Sequence, residues 1–138
     1  MSRHYTPLPM SAADTQETTT SRRVLVVDDD RDYAEIFAEL LSSLGHQVEV
    51  AHDGSSCLEL DASWIPEIIF LDLGLPAMDG YEVARRLRER RGDGARIIAL
   101  SGFGQAVDHD RSRSAGCNEH LVKPAALDDI LRAMTGRR

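Results

Sequence analysis

Two kinds of hydrophobic pattern alternate along this chain: short unbroken apolar runs, and longer stretches with helical spacing. Val24-Leu25-Val26-Val27 and Ile68-Ile69-Phe70-Leu71 are continuous runs, and each stops at a carboxylate. Apolar runs bounded by turn residues predict strands covered on both faces, as parallel strands are. Arg96-Ile97-Ile98-Ala99-Leu100 reads the same way, and Gln47 to Ala51 and Leu121-Val122 are shorter candidates. Helical spacing fills the gaps. Tyr33, Ile36, Phe37, Leu40, Leu41 and Leu44 form one stripe, closed by Gly45 just past the helix end. A helix through Cys57, Leu58 and Leu60 ends before Pro66. Tyr81 to Arg91 turns Val83, Ala84 and Leu87 inward and its arginines outward, and Leu127, Ile130, Leu131 and Met134 give the last helix. Gln105 to Ala115 is helical in pattern but mostly polar, which predicts a thinly packed surface helix closed by Gly116.

Five strands alternating with five helices, joined by right-handed crossovers, predict an α/β fold with helices on both faces of a parallel sheet. The expected fold class is flavodoxin-like, a doubly wound five-stranded sheet in the order 2-1-3-4-5. Residues 1–21 carry Pro7, Pro9 and the run Thr18-Thr19-Thr20-Ser21 with no apolar period. Such a segment buries too little to offset its ordering entropy, so a disordered tail is expected there and one domain over residues 22–138.

Composition narrows the function classes. A formal charge of −7 argues against a general nucleic-acid binder, which would carry a basic patch. Cys57 and Cys117 form no C-x-x-C and read as small buried side chains in a reducing compartment. No stretch approaches the ~20 apolar residues of a membrane span, and Arg3 has no hydrophobic segment behind it, so a cytoplasmic protein without membrane contact is expected.

Chemistry gathers where the strands end. Strand one runs into Asp28-Asp29-Asp30, strand three into Asp72, strand four into Ser101 and strand five into Lys123. In the 2-1-3-4-5 order, strands one and three are neighbours at the switch point, where open α/β sheets bind ligands. Carboxylates that close repel unless a cation sits among them, and hard oxygen donors suit Mg²⁺. Asp carboxylates also serve as nucleophiles that become aspartyl-phosphates, with a lysine and a hydroxyl available to phosphoryl oxygens. Each part has an ordinary alternative. Asp30 suits a helix cap, Asp72 could cap the next turn, Ser101-Gly102 suits a turn and Lys123 an exposed surface. At the end of strand two, Asp53-Gly54 reads as a turn. The coincidence of useful groups at four of five strand ends favours an acyl-phosphate site.

At these residues the chain resembles a response regulator receiver domain of two-component phosphorelay signalling. The resemblance runs from about Arg23 to Met134. It rests on Val-Val-Asp28-Asp29-Asp30, Asp72-Leu-Gly-Leu-Pro76-Ala-Met78-Asp79-Gly80, Ala99-Leu100-Ser101-Gly102 and Leu121-Val122-Lys123-Pro124, in that order. It implies that Asp72 takes a phosphoryl group from a phosphohistidine of a sensor histidine kinase or a histidine phosphotransfer protein. Asp29, Asp72 and the Gly74 carbonyl would bind Mg²⁺, with Asp28 holding it through water. Lys123 would contact the phosphoryl group across a cis bond to Pro124. Ser101 would swing toward it and repack the helix 4, strand 5 and helix 5 surface for an unknown protein target. One position departs from the family pattern: where Tyr or Phe is usual, three residues before the lysine, this chain has His120. A polar surface ring and a pH-sensitive switch are the two explanations for it.

The sequence ends at Arg138, after the last helix, so a single-domain regulator and a module of a longer protein such as a hybrid histidine kinase are both expected readings. Gly74 and Phe103 flank the site and could gate water. Rival functions are a phosphorylation-independent interaction module and a haloacid-dehalogenase-type phosphatase. The second would place its nucleophile on strand one, where Asp28-Asp29-Asp30-Arg31-Asp32 lacks the expected Thr or Val. A nucleotide-binding flavodoxin-like protein is a further alternative, although no Gly-rich phosphate loop follows strand one. The site is expected to take part in its own phosphorylation and dephosphorylation rather than to turn over a separate substrate as an enzyme.

Overall fold

The computed structural model describes residues 20–102 and 109–136. In chain order the elements are β1 (Arg23–Val27), α1 (Arg31–Ser43), β2 (Gln47–Ala51), α2 (Gly54–Trp64), β3 (Ile68–Asp72), α3 (Gly80–Arg91), β4 (Arg96–Ser101), α4 (His109–Ser114), β5 (Glu119–Val122) and α5 (Leu127–Thr135). The strands form one parallel sheet in the order β2-β1-β3-β4-β5. The predicted fold class and strand order are both found.

Strand alternation divides the core into two layers. Leu25, Val27, Ile69, Leu71, Ile97 and Ala99 pack on one face against Cys57 of α2 and Val83, Ala84 and Leu87 of α3. Their neighbours Val24, Val26, Ile68, Phe70, Ile98 and Leu100 pack on the other against α1 and against Ile130, Ala133 and Met134 of α5. Both faces are therefore covered, which is why these strands read as unbroken apolar runs. Cys57 and Cys117 are buried and unpaired. Asp61 of α2 and Arg91 of α3 form an ion pair of 2.9 Å that ties the two helices together.

Helix starts follow side-chain caps. Asp30, Asp53 and Asp79 each accept the backbone N–H three residues on, at the beginnings of α1, α2 and α3. Asp53-Gly54 is thus a cap and first helical residue, not a free-standing turn. Gly54 is required there by space, since a Cβ would come within 2.8 Å of Val83 Cγ2.

The α1 stripe is rotated relative to its prediction. Ala34, Phe37, Ala38 and Leu41 are buried, whereas Ile36 is 67% exposed. Two alanines let the helix approach the sheet closely, and Ile36 lies outside that arc. Replacing Ile36 with Ser is expected to change the unfolding free energy by less than about 0.5 kcal/mol. Urea denaturation checks this; a loss near 2 kcal/mol, typical of a core site, would contradict the exposure. Of the predicted helix at Gln105–Ala115, the part at 105–108 lies outside the described residues, as does Phe103. The rest is short and polar, with only Ser112 of α4 buried.

Candidate functional site

Parallel register brings the strand ends to one edge. Val27 pairs with Leu71, so Asp28 and Asp72 follow side by side. Asp72 pairs with Leu100, one residue before Ser101, and Ser101 pairs with Val122, one residue before Lys123. Asp28 is fully buried and Asp72 nearly so, while Asp29 stands exposed at the mouth. One carboxylate oxygen from each of these three lies within 4.8 Å of the others, an arrangement that could hold a metal ion.

Local backbone geometry fixes the carboxylates. Asp28 Oδ1 accepts the Asp30 N–H at 2.9 Å, and Asp72 Oδ1 accepts the Gly74 N–H at 2.9 Å. Gly74, expected to offer its carbonyl, is exposed between the buried Leu73 and Leu75, two residues past Asp72. The loop then folds back tightly: a Cβ on Gly80 would sit 2.5 Å from the Asp72 carbonyl oxygen, so only glycine fits. Lys123 reaches in from the end of β5, its Nζ 2.7 Å from Asp28 Oδ2 and 3.7 Å from Asp72 Oδ2. The Lys123–Pro124 bond is cis, as expected.

The electrostatics match the geometry. Burial, with the Asp28 charge and a hydrogen bond shared with Asp29, raises the Asp72 pKa to about 6 against the lowering effects of the Gly74 N–H and Lys123. Burial alone would depress Lys123, but its bond to Asp28 and the charge of Asp72 outweigh that and raise it. Three carboxylates facing one lysine leave excess negative charge, and an all-oxygen donor set suits a hard divalent cation. The residues present therefore fit such an ion.

Ser101 is fully buried at the end of β4, and its Oγ lies 3.0 Å from His120 Nε2. His120 in turn faces His109 of α4, with 3.4 Å between their Nδ1 atoms. Burial and the neighbouring His109 both push the His120 pKa down. His120 is thus tied to the site through Ser101, more than a surface ring.

Some participants were missed from sequence. The Tyr33 ring of α1 carries Lys123 Nζ 4.9 Å from its centroid, and burial raises its phenol pKa. His52 Nδ1, after β2, lies 2.9 Å from the Asp28 carbonyl oxygen. On the far side, Arg111 of α4 lies 3.6 Å from Asp79 and 4.0 Å from the Tyr81 ring centre, linking α4 to the start of α3. No sequence signal announced these contacts, because each joins residues distant in the chain.

Comparison with known proteins places the chain. The model of the response regulator receiver domain family matches residues 24–135. Response regulator MprA of Mycobacterium ulcerans is 41% identical over 114 residues, which are 83% of this chain and 49% of that protein. MprA of Mycobacterium tuberculosis is 40% identical over the same length. The chain thus spans about half the length of these curated relatives. A Burkholderia pseudomallei response regulator, solved with a phosphorylated aspartic acid, calcium ion and citrate, aligns with a TM-score of 0.74 and 30% identity, covering 83% of this chain and 66% of that one. A CheY-like receiver domain protein of Methanospirillum hungatei aligns with a TM-score of 0.77 and 25% identity, covering 85% and 93%. With a family match over most of its length and relatives at this identity, the chain belongs to the response regulator receiver domain family of two-component systems.

Proposed function

We propose that Asp72 is the phosphoacceptor of a Mg²⁺-dependent phosphorelay step, fed by the phosphohistidine of a sensor histidine kinase or a histidine phosphotransfer protein. The observation that carries this reading is the convergence of Asp28, Asp29 and Asp72 within 4.8 Å, with Lys123 3.7 Å from Asp72. In the transfer, an Asp72 carboxylate oxygen bonds to phosphorus as the P–N bond breaks, and the electron pair leaves with the imidazole nitrogen. The nucleophile must be ionised, and a pKa near 6 leaves Asp72 ionised at neutral pH while keeping it more basic than an ordinary aspartate. Asp28, Asp29, Asp72 and the Gly74 loop are the residues that would hold Mg²⁺. When bound, the ion supplies charge neutralisation at the phosphoryl oxygens. Lys123, whose Nζ lies 3.7 Å from Asp72 Oδ2, would add to this as a compact cation on a flexible stem.

On this reading Ser101 turns from His120 to offer its hydroxyl to the phosphoryl group. That exchange couples the site to β5 and α4 through the Ser101–His120–His109 chain. Beside it runs a groove of about 630 Å³ lined by His120, Val122, Pro124, Asp129 and Arg132, which supports a signalling surface on β5 and α5. Phosphorylation then biases a two-state equilibrium of that surface toward a protein target.

Intact-mass measurement with a small acyl-phosphate donor tests the reading. One phosphoryl group is expected on the wild type with Mg²⁺, and none on Asp72→Asn or when Mg²⁺ is chelated. No gain under any condition would leave a phosphorylation-independent interaction module. A gain retained by Asp72→Asn would move the acceptor elsewhere.

A further inference from the structure

We propose that His109 and His120 form a second cation site, for a borderline divalent ion of the Zn²⁺ class, chemically separate from the carboxylate cluster. His109 opens α4 and His120 lies on β5, yet their Nδ1 atoms face each other across 3.4 Å with ring centres 4.7 Å apart. That separation is near the long limit of a hydrogen bond between two ring nitrogens. Two nitrogens bound at about 2.0–2.1 Å to one tetrahedral ion stand about 3.3–3.4 Å apart. The ring angle of 70° is ordinary edge-to-face packing, but packing does not by itself bring nitrogen against nitrogen.

Donor chemistry separates the two sites. Imidazoles suit Zn²⁺, Cu²⁺ or Ni²⁺, whereas the Asp28, Asp29 and Asp72 oxygens suit hard ions. A ligating histidine ordinarily donates its other ring N–H to a fixed partner, which sets its tautomer. His120 already has that partner in the buried Ser101 Oγ, 3.0 Å from Nε2. Beside the pair lies an open cavity of about 180 Å³, lined by Ser112, Asn118 and Glu119 as well as both histidines, with room for water ligands. Arg113 also lines it, and Asp110 stands 3.4 Å from that guanidinium to counter its charge. Among the described residues no third His, Cys, Asp or Glu reaches the same point, so water completes the coordination.

A bound ion joins α4 to β5 and holds the ring that holds Ser101. Resting on the phosphoryl reading above, the ion therefore opposes the release of Ser101 and slows phosphoryl uptake.

Calorimetric titration of Zn²⁺ into the full chain, with Mg²⁺ in excess to occupy the carboxylates, tests the site directly. One equivalent is expected to bind to the wild type. Affinity should fall by about tenfold or more in His109→Ala, an exposed position, and in His120→Phe, which restores the usual aromatic. Absence of binding to the wild type, or equal affinity in all three proteins, would overturn the site. Phosphoryl uptake measured by mass supplies the second arm: Zn²⁺ should slow it in the wild type and not in His109→Ala. Equal slowing in both would overturn the coupling, and uptake without Zn²⁺ judges the phosphoryl reading independently.

Discussion

Replacing Lys123 with alanine is expected to slow phosphoryl uptake by about 10²–10³-fold, the loss typical of one charge-stabilising donor in an active site. The same substitution should lower folding stability by about 3 kcal/mol in Mg²⁺-free buffer. Asp28 is fully buried, and Lys123 Nζ sits 2.7 Å from its Oδ2. Truncation leaves that carboxylate charged and beside Asp72, and breaking a buried pair is costly because the remaining charge stays out of water. The two effects separate with metal. A divalent ion among the three carboxylates restores the charge balance, so added Mg²⁺ should recover stability in urea denaturation. It should not recover the rate if, as proposed, the Lys123 ammonium itself meets the phosphoryl oxygens. Uptake at the wild-type rate would remove Lys123 from the transfer step, and unchanged stability without Mg²⁺ would mean that Asp28 does not depend on it.

Asp72→Asn should make the protein more stable at pH 7, by about 2–3 kcal/mol in the absence of metal. Burial first, then the Asp28 charge, raises the Asp72 pKa from 3.8 to about 6. Each pKa unit corresponds to about 1.4 kcal/mol. The folded state therefore binds the proton more tightly than the unfolded one. The contribution of the protonated carboxyl is fully present below about pH 4 and is lost as pH rises through about 6. Asn keeps an oxygen for the Gly74 N–H and carries no charge, so it escapes this loss. Plotted against pH, the advantage of the variant should grow between pH 4 and 6 and stay level above. Urea unfolding at several pH values measures it; a variant that is less stable, or an advantage independent of pH, would show that Asp72 is not held against its charge. The substitution that is proposed to end phosphoryl uptake is thus also expected to stabilise the fold.

Different physics made different parts of this molecule legible. The apolar runs at Val24–Val27 and Ile68–Leu71 reported their burial directly, because a parallel strand covered on both faces has no polar side to show. Asp30 could be read as a cap from the residue type and its place before the helix. Asp53 could have been, but the following Gly54 suggested a turn, whereas that glycine is kept by close contact with Val83 across helices. Ile36 fitted the helical period and still lies in solvent, since the alanines at 34 and 38 decide which arc meets the sheet.

The sequence by itself determined the order of elements, the two-sided sheet and the acids, hydroxyl and lysine at its strand ends. Those features depend on local period and on residues adjacent to each strand. Only the tertiary structure decided how the strand ends face one another. It gave Lys123 to Asp28 more closely than to Asp72, placed Tyr33 beneath that lysine, and turned Ser101 onto His120 and His120 onto His109. Such contacts join residues up to 95 positions apart. Register and competition among nearby charges select them, and no local spacing encodes either.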